Sequence, residues 1–334
     1  MRAILRYLIF TTLAFGFSAG LSAFAQTCYT AADMDVPTKT ALESAGKKYF
    51  DMVVHGDSAS LKQNAVSSLA ADFSGIEGAV KDNQAGLSGA QPTVQPPYLL
   101  KVEGNAPQQR AEFLCGVFNK NGQTTNSAEF VISNLAPGSY GVVSVDATGS
   151  KNSATVSFVL QQQGADWKLG GLYVREGKVG GHDAKWFADQ AHAYKSKGQT
   201  HNAWFYLLEA RDLSVPVNFM YTLTSDTLYD EAQRVKPADL PVDSSITDLA
   251  GNGKTYKLTA AFPLAVGNEF DLVVKYQAAD VSDSGKTFQE NTAVMKALLA
   301  KFPELRDAFD SLVVRAVEPS GRDYGTMLHM KDIK

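Results

Sequence analysis

The spacing of apolar residues divides the first part of the chain into predicted helices and a loop. Apolar residues in the stretch 42–53 recur at three- and four-residue steps, which predicts an amphipathic helix that Gly56 ends. Shorter helices are predicted at 58–69 and 72–83. Residues 84–97 contain several glycines and prolines and predict a loop.

From residue 98 the apolar period changes to two, which is typical of strands. Phe113, Cys115 and Val117 are predicted to share one face of a strand, and alternation continues as far as Val174. Asn, Gly and Pro clusters separate five or six such strands. Helices followed by antiparallel strands predict an α+β domain over residues 33–177.

The remainder of the chain is predicted to contain a helical part and a second α+β part. Residues 181–235 predict a helical hairpin that turns at Gly198, followed by another apolar-rich segment. Residues 237–253 are rich in helix and strand breakers and predict a linker. Residues 254–334 show two strands, a helix and two strands, which predicts a compact ββαββ module.

Residues 1–25 have the features of a secretory signal peptide. Two arginines begin the segment, an apolar stretch follows, and Ala23-Phe24-Ala25 fits a cleavage site after Ala25. The alternative is a retained membrane anchor, because the uncharged stretch is long enough for one. Lipidation of Cys28 is not favoured, because Ala25 and Thr27 do not fit a bacterial lipobox. The sequence therefore predicts a bacterial protein of the periplasm or extracellular space, with no membrane span after cleavage.

Charge and cysteine content restrict the partners and the compartment. The formal charge of −4 becomes −6 once Arg2 and Arg6 leave with the signal peptide, which argues against a nucleic-acid partner. The two cysteines, Cys28 and Cys115, both remain in the exported product. In an oxidising compartment an even pair predicts one disulfide, although two separate thiols are the alternative.

The first region resembles the nuclear transport factor 2-like superfamily, which includes ketosteroid-isomerase-like domains. The string 165–174, with Trp167-Lys168 near its start, resembles the last strand of that family, and residues 49–57 resemble its opening helix and turn. The resemblance implies N-terminal helices wrapped by a strongly curved antiparallel sheet that forms a cone. It also implies two alternatives for function, a ketosteroid-isomerase-like enzyme and a homodimer joined through its sheets.

The second region resembles a single tetratricopeptide-like hairpin. The small and large positions of that repeat match Ala191, Tyr194, Gly198, Ala203, Leu207 and Ala210. Gln190 replaces the usual leucine of the first helix. One repeat cannot bury its own apolar face, so the hairpin is expected to pack on its neighbours. An unrelated helical linker is the alternative, and residues 254–334 show no family resemblance.

Motifs for cofactors, metals and nucleophiles are incomplete. Gly253-Lys254-Thr255 and Gly285-Lys286-Thr287 lack the upstream glycine of a phosphate loop, since Asp248 and Asp280 stand there, and both are interpreted as strand turns. Asp189 and His192 fit one helix face, but no further metal ligands are visible beside them. The sequence therefore predicts no catalytic residues, metal or cofactor.

Acidic and aromatic residues supply the remaining candidates. An isomerase-like pocket needs a carboxylate base inside a dry cone. Most of the strand acids, Glu103, Glu112, Glu129 and Asp146, lie on the polar side of their strands and are expected to be solvated.

Five aromatic residues are candidate binding residues. Tyr98, Tyr140 and Tyr173 are placed at a pocket mouth, with sheet packing as the alternative. Trp186 and Trp204 are placed on a partner-binding surface, although packing of the hairpin against its neighbours is the favoured explanation.

These patterns favour an exported, non-catalytic module that binds a ligand or a protein, or that assembles with other components of the cell envelope. Its partner would be an envelope protein or a small apolar ligand. The alternative is a ketosteroid-isomerase-like enzyme that acts on a small apolar molecule in the N-terminal cone.

Overall fold

A computed structural model describes residues 26–149, 153–267 and 269–334. Over these residues the chain forms eight α-helices and fourteen strands in three sheets, so the predicted α+β class is confirmed. The predicted signal peptide lies outside the described residues. Among the described helices, none combines the length and the apolar character that crossing a membrane requires.

The first part of the chain forms four helices and eight strands. They are β1 (Gln26–Tyr29), α1 (Val36–Val54), α2 (Ser58–Gln63), α3 (Ser67–Ala71), α4 (Ser74–Leu87), β2 (Gln91–Val94), β3 (Tyr98–Val102), β4 (Gln108–Asn119), β5 (Gly122–Leu135), β6 (Gly138–Thr148), β7 (Ala154–Gln163) and β8 (Asp166–Glu176).

Helix α1 has both ends fixed by local chemistry. The carboxylate of Asp35 accepts a hydrogen bond from the backbone N–H of Thr38, and Pro37 stands in the first turn, where its missing N–H costs nothing. Gly56 follows the last turn with a φ of +69°, a conformation that glycine adopts without strain. The predicted helix and its end at Gly56 are confirmed.

Two sheets form the N-terminal region. The N-terminal sheet has the order β1-β3-β6-β7-β8, with β2 alongside β6. Helices α1 and α4 cover one of its faces, and the β4–β5 hairpin covers the other. The predicted Cys28–Cys115 disulfide is present, with a Cα–Cα distance of 5.0 Å, and joins β1 of the first sheet to β4 of the second.

Three local predictions in this region are wrong. Residues 58–69 form two short helices, because the backbone of Asn64 and Val66 bonds to that of Leu169 in β8. Part of the predicted loop 84–97 forms β2. Val117 does not share a face with Phe113 and Cys115, because a β-bulge at Gly116 shifts the register and leaves Val117 58% exposed.

The second part of the chain is mainly helical. It contains α5 (Ala184–Ser196), α6 (Thr200–Leu213), β9 (Met220–Thr222) and α7 (Leu223–Arg234). Strand β9 pairs with β5, and thereby completes a three-stranded sheet in the order β4-β5-β9. The helical region therefore contributes a strand to the region before it, which the sequence did not predict.

The last part of the chain contains the C-terminal sheet, of order β10-β11-β12-β13-β14. Its elements are β10 (Thr247–Gly251), β11 (Lys254–Val266), β12 (Glu269–Gln277), α8 (Ser284–Lys301), β13 (Ser311–Val317) and β14 (Asp323–His329), with short 3-10 helices at Pro303–Asp307 and Met330–Asp332. Helix α8 connects the parallel strands β12 and β13. The predicted ββαββ order lacked β10, because its five residues contain only one fully buried apolar side chain, Leu249.

The α5–α6 hairpin and the C-terminal sheet share one apolar core. The rings of Phe187 and Tyr206 lie 5.0 and 5.2 Å from that of Phe270 in β12. Tyr194 and Tyr206 donate hydrogen bonds of 2.7 Å to backbone carbonyls just before β13. The hairpin therefore buries its apolar face against the C-terminal sheet.

Candidate functional site

The N-terminal sheet turns polar side chains toward the face that its helices do not cover. Val143 and Val145 of β6 pack against the helical side, so Ser144 and Asp146, which alternate with them along the strand, point the other way. On the adjacent strand β7, Thr155 points to the same face as Asp146 and donates a hydrogen bond to it. The strands therefore place hydroxyl and carboxyl groups on a half-buried surface.

A segment that follows α6 fills much of the space between the two N-terminal sheets. Val217 is fully buried there, and the ring of Phe219 lies 5.4 Å from that of Tyr173. The carbonyl oxygen of Pro216 accepts a 3.4 Å hydrogen bond from Ser157. Residues of this segment line two separate cavities, of about 330 and 480 Å³.

The smaller cavity, here called the acidic cleft, lies between the N-terminal sheet and the segment after α6. Leu213–Pro216 and Met220 form one side of it. The sheet side carries a set of polar residues, namely Gln95, Tyr98, Ser144, Asp146, Thr155, Arg175 and Glu176. A volume of about 330 Å³ is within the range of small-molecule sites.

Asp146 is the best-positioned carboxylate of the cleft. One oxygen accepts a 2.7 Å hydrogen bond from Nε2 of Gln95, and the other accepts a 2.8 Å hydrogen bond from Oγ1 of Thr155. These bonds fix the carboxylate in place. An ionised carboxylate offers about four acceptor positions, so Asp146 keeps capacity to bind a ligand.

Negative charge exceeds positive charge around the cleft. Arg175 pairs with the carboxylate of Asp212 at 2.5 Å, which neutralises the arginine. Asp146 and Glu176 are then the uncompensated charges among the described lining residues. Glu209 lies nearby in α6, and burial, then the charges of Asp212 and Glu176, raise its pKa to about 7.

The three candidate tyrosines do not form one site. Tyr98 lines the acidic cleft, and burial raises the pKa of its hydroxyl. Tyr140 and Tyr173 line the neighbouring cavity of about 480 Å³. There the hydroxyl of Tyr140 donates a 2.8 Å hydrogen bond to the carbonyl oxygen of Ala136.

The two candidate tryptophans lie outside both cavities. Trp204 is only 6% exposed and packs on Phe205 in α6. Trp186 stacks on His182, with the ring centres 3.6 Å apart, and also contacts Phe187. Both tryptophans belong to the core that the hairpin shares with the C-terminal sheet, the position expected if they hold the hairpin to its neighbour.

Several residues of the cleft were missed or misjudged from the sequence. Asp146 was expected to be solvated, but it is half-buried and held by two hydrogen bonds. The sequence did hold a signal for this polar face. Ser144 and Asp146 alternate with valines along β6, and their partners on β7, Ser157 and Thr155, are also polar. Arg175 gave no such signal, because its partner in α6 is distant in the sequence.

The motifs considered for metals and phosphates have structural roles. Asp189 pairs with Lys185, and His192 contacts Glu231 at 2.6 Å. Within the described residues, no group of three or more potential ligands has a metal-binding arrangement.

The two candidate phosphate loops lie in different elements. Gly253 lies in the turn between β10 and β11, as predicted, but Gly285 lies in the first turn of α8 and not in a strand turn. There Asp283 caps the helix, because its carboxylate accepts a hydrogen bond from a backbone N–H of the first turn.

Comparisons with family models, with curated proteins and with solved structures find no match to this chain. The resemblances of residues 33–177 and 181–235 to known families therefore stay predictions.

Proposed function

We propose that this chain is an exported, non-catalytic binding protein of the bacterial cell envelope that holds a small, positively charged molecule in the acidic cleft. The observation that carries the proposal is the position of Asp146. Its carboxylate lines a net negative cleft and is oriented by Gln95 and Thr155. The Cys28–Cys115 disulfide and the signal-like N-terminus support export.

The lining of the cleft favours an organic cation over the apolar ligand considered from the sequence. Asp146 and Glu176 would be partly desolvated by an apolar occupant without gaining a partner, which is costly. An ammonium group would replace the lost water with charge-assisted hydrogen bonds to the two carboxylates. Tyr98 adds an aromatic wall that suits a cation.

Binding is favoured over ketosteroid-isomerase-like catalysis because Asp146 is already hydrogen-bonded and Glu209 lies outside the described lining of the cleft. A catalytic base of that kind lies in the pocket and is free to take a proton. Asp146 lies in the cleft, but two donors already hold it. Glu209 has a raised pKa but is not among the described residues that line the cleft.

The proposal is tested with the purified mature protein and three small cations, choline, putrescine and arginine methyl ester. Isothermal titration and thermal unfolding are expected to show binding of at least one of them. Asp146→Asn should weaken that binding about ten-fold, because one charge-assisted interaction is lost.

Asp248→Asn is the matched control, since Asp248 is also a strand aspartate but pairs with Lys257 in the C-terminal sheet. It should leave the affinity unchanged. The proposal is wrong if the folded protein binds none of the three cations, or if Asp146→Asn and Asp248→Asn bind them equally well.

A further inference from the structure

A separate cavity lies in the C-terminal sheet, where strands β12 and β13 end. Its volume is about 760 Å³, and its walls include the residues that follow β12 and β13, Ala278 and Glu318 among them. These two strands are parallel, and α8 connects them. Ligands of open sheets bind outside the carboxyl ends of parallel strands, the position that this cavity occupies.

Two buried tyrosines of this cavity have unsatisfied hydroxyl groups. Tyr256 and Tyr276 are 3% and 2% exposed, and their ring centres lie 5.6 Å apart. Within the described part of the chain, neither hydroxyl has a hydrogen-bond partner, although both side chains line the cavity. Buried hydroxyl groups in native proteins are nearly always paired, so two neighbouring exceptions indicate an absent partner.

A lysine–glutamate pair lies on the wall of the same cavity. Nζ of Lys254 lies 2.8 Å from Oε1 of Glu290 and 4.9 Å from the centre of the Tyr256 ring. Burial, followed by the charge of Glu290, raises the pKa of the Tyr276 hydroxyl, and both effects also act on Tyr256. The two hydroxyls therefore stay protonated, and both tyrosines line the cavity together with this ion pair.

The remaining charges of the cavity are balanced. Lys257 pairs with Asp248, and Glu318 pairs with Arg322. Lys254 and Glu290 neutralise each other. A charged ligand would have to compete with one of these pairs, whereas an uncharged ligand with hydroxyl groups satisfies both tyrosines and leaves the pairs intact.

We propose that this tyrosine cavity binds a neutral, hydroxyl-rich small molecule of the sugar class, held by the hydroxyl groups of Tyr256 and Tyr276. Each sugar hydroxyl both donates and accepts, so it matches a phenol that does the same. The cavity volume is within the range of small-molecule sites. This site shares no lining residue with the acidic cleft, so either proposal stands without the other.

Saturation-transfer NMR on the whole mature protein tests the proposal with N-acetylglucosamine, methyl glucoside, maltose and cellobiose. Gluconate and citrate serve as anionic competitors of similar polarity. At least one of the four sugars is expected to bind. The double variant Tyr256→Phe/Tyr276→Phe should weaken that binding about ten-fold, since two hydrogen bonds are lost.

The unliganded variants provide a second readout. Removal of an unpaired buried hydroxyl should leave the Tm of Tyr276→Phe unchanged or raise it, whereas loss of an internal hydrogen bond would lower it. Tyr229→Phe, at an exposed position of α7, is the control for both measurements and should change neither. The proposal is overturned if none of the four sugars binds, if gluconate or citrate binds in preference to them, if the double variant binds as the wild type does, or if Tyr276→Phe lowers the Tm.

Discussion

Glu209 makes the stability of the protein depend on pH near neutrality. Burial and the charges of Asp212 and Glu176 raise its pKa from 4.5 to about 7 in the folded chain. Between these two values the folded protein holds a proton that the unfolded chain has released. Stability should therefore be highest below pH 4.5, as far as this residue decides it, and should fall as the pH rises to about 7.

Glu209→Gln removes this titration and keeps the shape of the side chain. The variant is expected to show a flatter pH profile and, above pH 7, a free energy of unfolding higher by on the order of 2 kcal/mol, a value reduced for partial solvent screening. Urea unfolding at several pH values from 5 to 8 measures the profile. Parallel profiles for wild type and variant would show that Glu209 titrates normally.

At the scale of single residues, the sequence predicted the disulfide but not the residues of the candidate site. Cys28 and Cys115 could be paired because two cysteines offer only one combination within the chain. The half-buried state of Asp146 could not be predicted, because it depends on Pro216 and its neighbours, some seventy residues later in the chain. The two unsatisfied tyrosines gave no sequence signal, since Tyr256 and Tyr276 fit ordinary strand alternation.

At the scale of elements, long periodic segments could be predicted and short ones could not. Helix α1 and strands β11 and β12 each contain enough residues to show their period. Strands β2, β9 and β10 have only three to five residues, and pairing with longer neighbours, not local sequence, makes them strands. The bulge at Gly116 was missed for a related reason, because its φ of +81° and its approach to Asn126 arise from the pairing of β4 with β5.

The contact between α1 and β6 depends on a glycine. A Cβ atom at Gly46 would lie 2.4 Å from Cγ1 of the buried Val143, which is closer than such atoms approach. Gly46→Ala should therefore destabilise the protein by about 1–3 kcal/mol, although alanine is the better helix former. Denaturant unfolding gives the change in the free energy of unfolding.

Gly78 in α4 provides the matched control for Gly46. Nothing lies within 4 Å of a Cβ atom at Gly78, so Gly78→Ala should stabilise the protein by about 0.5–1 kcal/mol through helix propensity alone. Opposite signs for the two variants would establish that close packing is the cause. Equal effects would contradict the close approach of α1 to β6.

At the scale of the whole molecule, the three predicted regions are connected more closely than their sequence suggests. The hairpin of α5 and α6 shares its core with the C-terminal sheet, and β9 adds a strand to the N-terminal region. His201 of α6 reinforces the first connection, because its two ring nitrogens contact Glu304 at 2.7 Å and Asp239 at 2.9 Å. Such contacts join residues some forty to a hundred positions apart, and local periodicity holds no information about them.

The disulfide should stabilise the N-terminal part of the molecule more than the C-terminal part. It joins β1 to β4 across 87 residues, and a bond that closes so long a loop contributes about 4 kcal/mol by restricting the unfolded chain. The unreduced protein should weigh about 2 Da less than its dithiol form.

Reduction of the wild-type disulfide tests this contribution. It keeps both sulfur atoms in place, so it isolates the effect of the bond from that of a cavity. Hydrogen exchange after reduction should increase first in β1 and β4, and least in β12 and β13. Unchanged protection in β1 and β4, together with an unchanged urea midpoint, would show that the bond holds segments already fixed by their sheets.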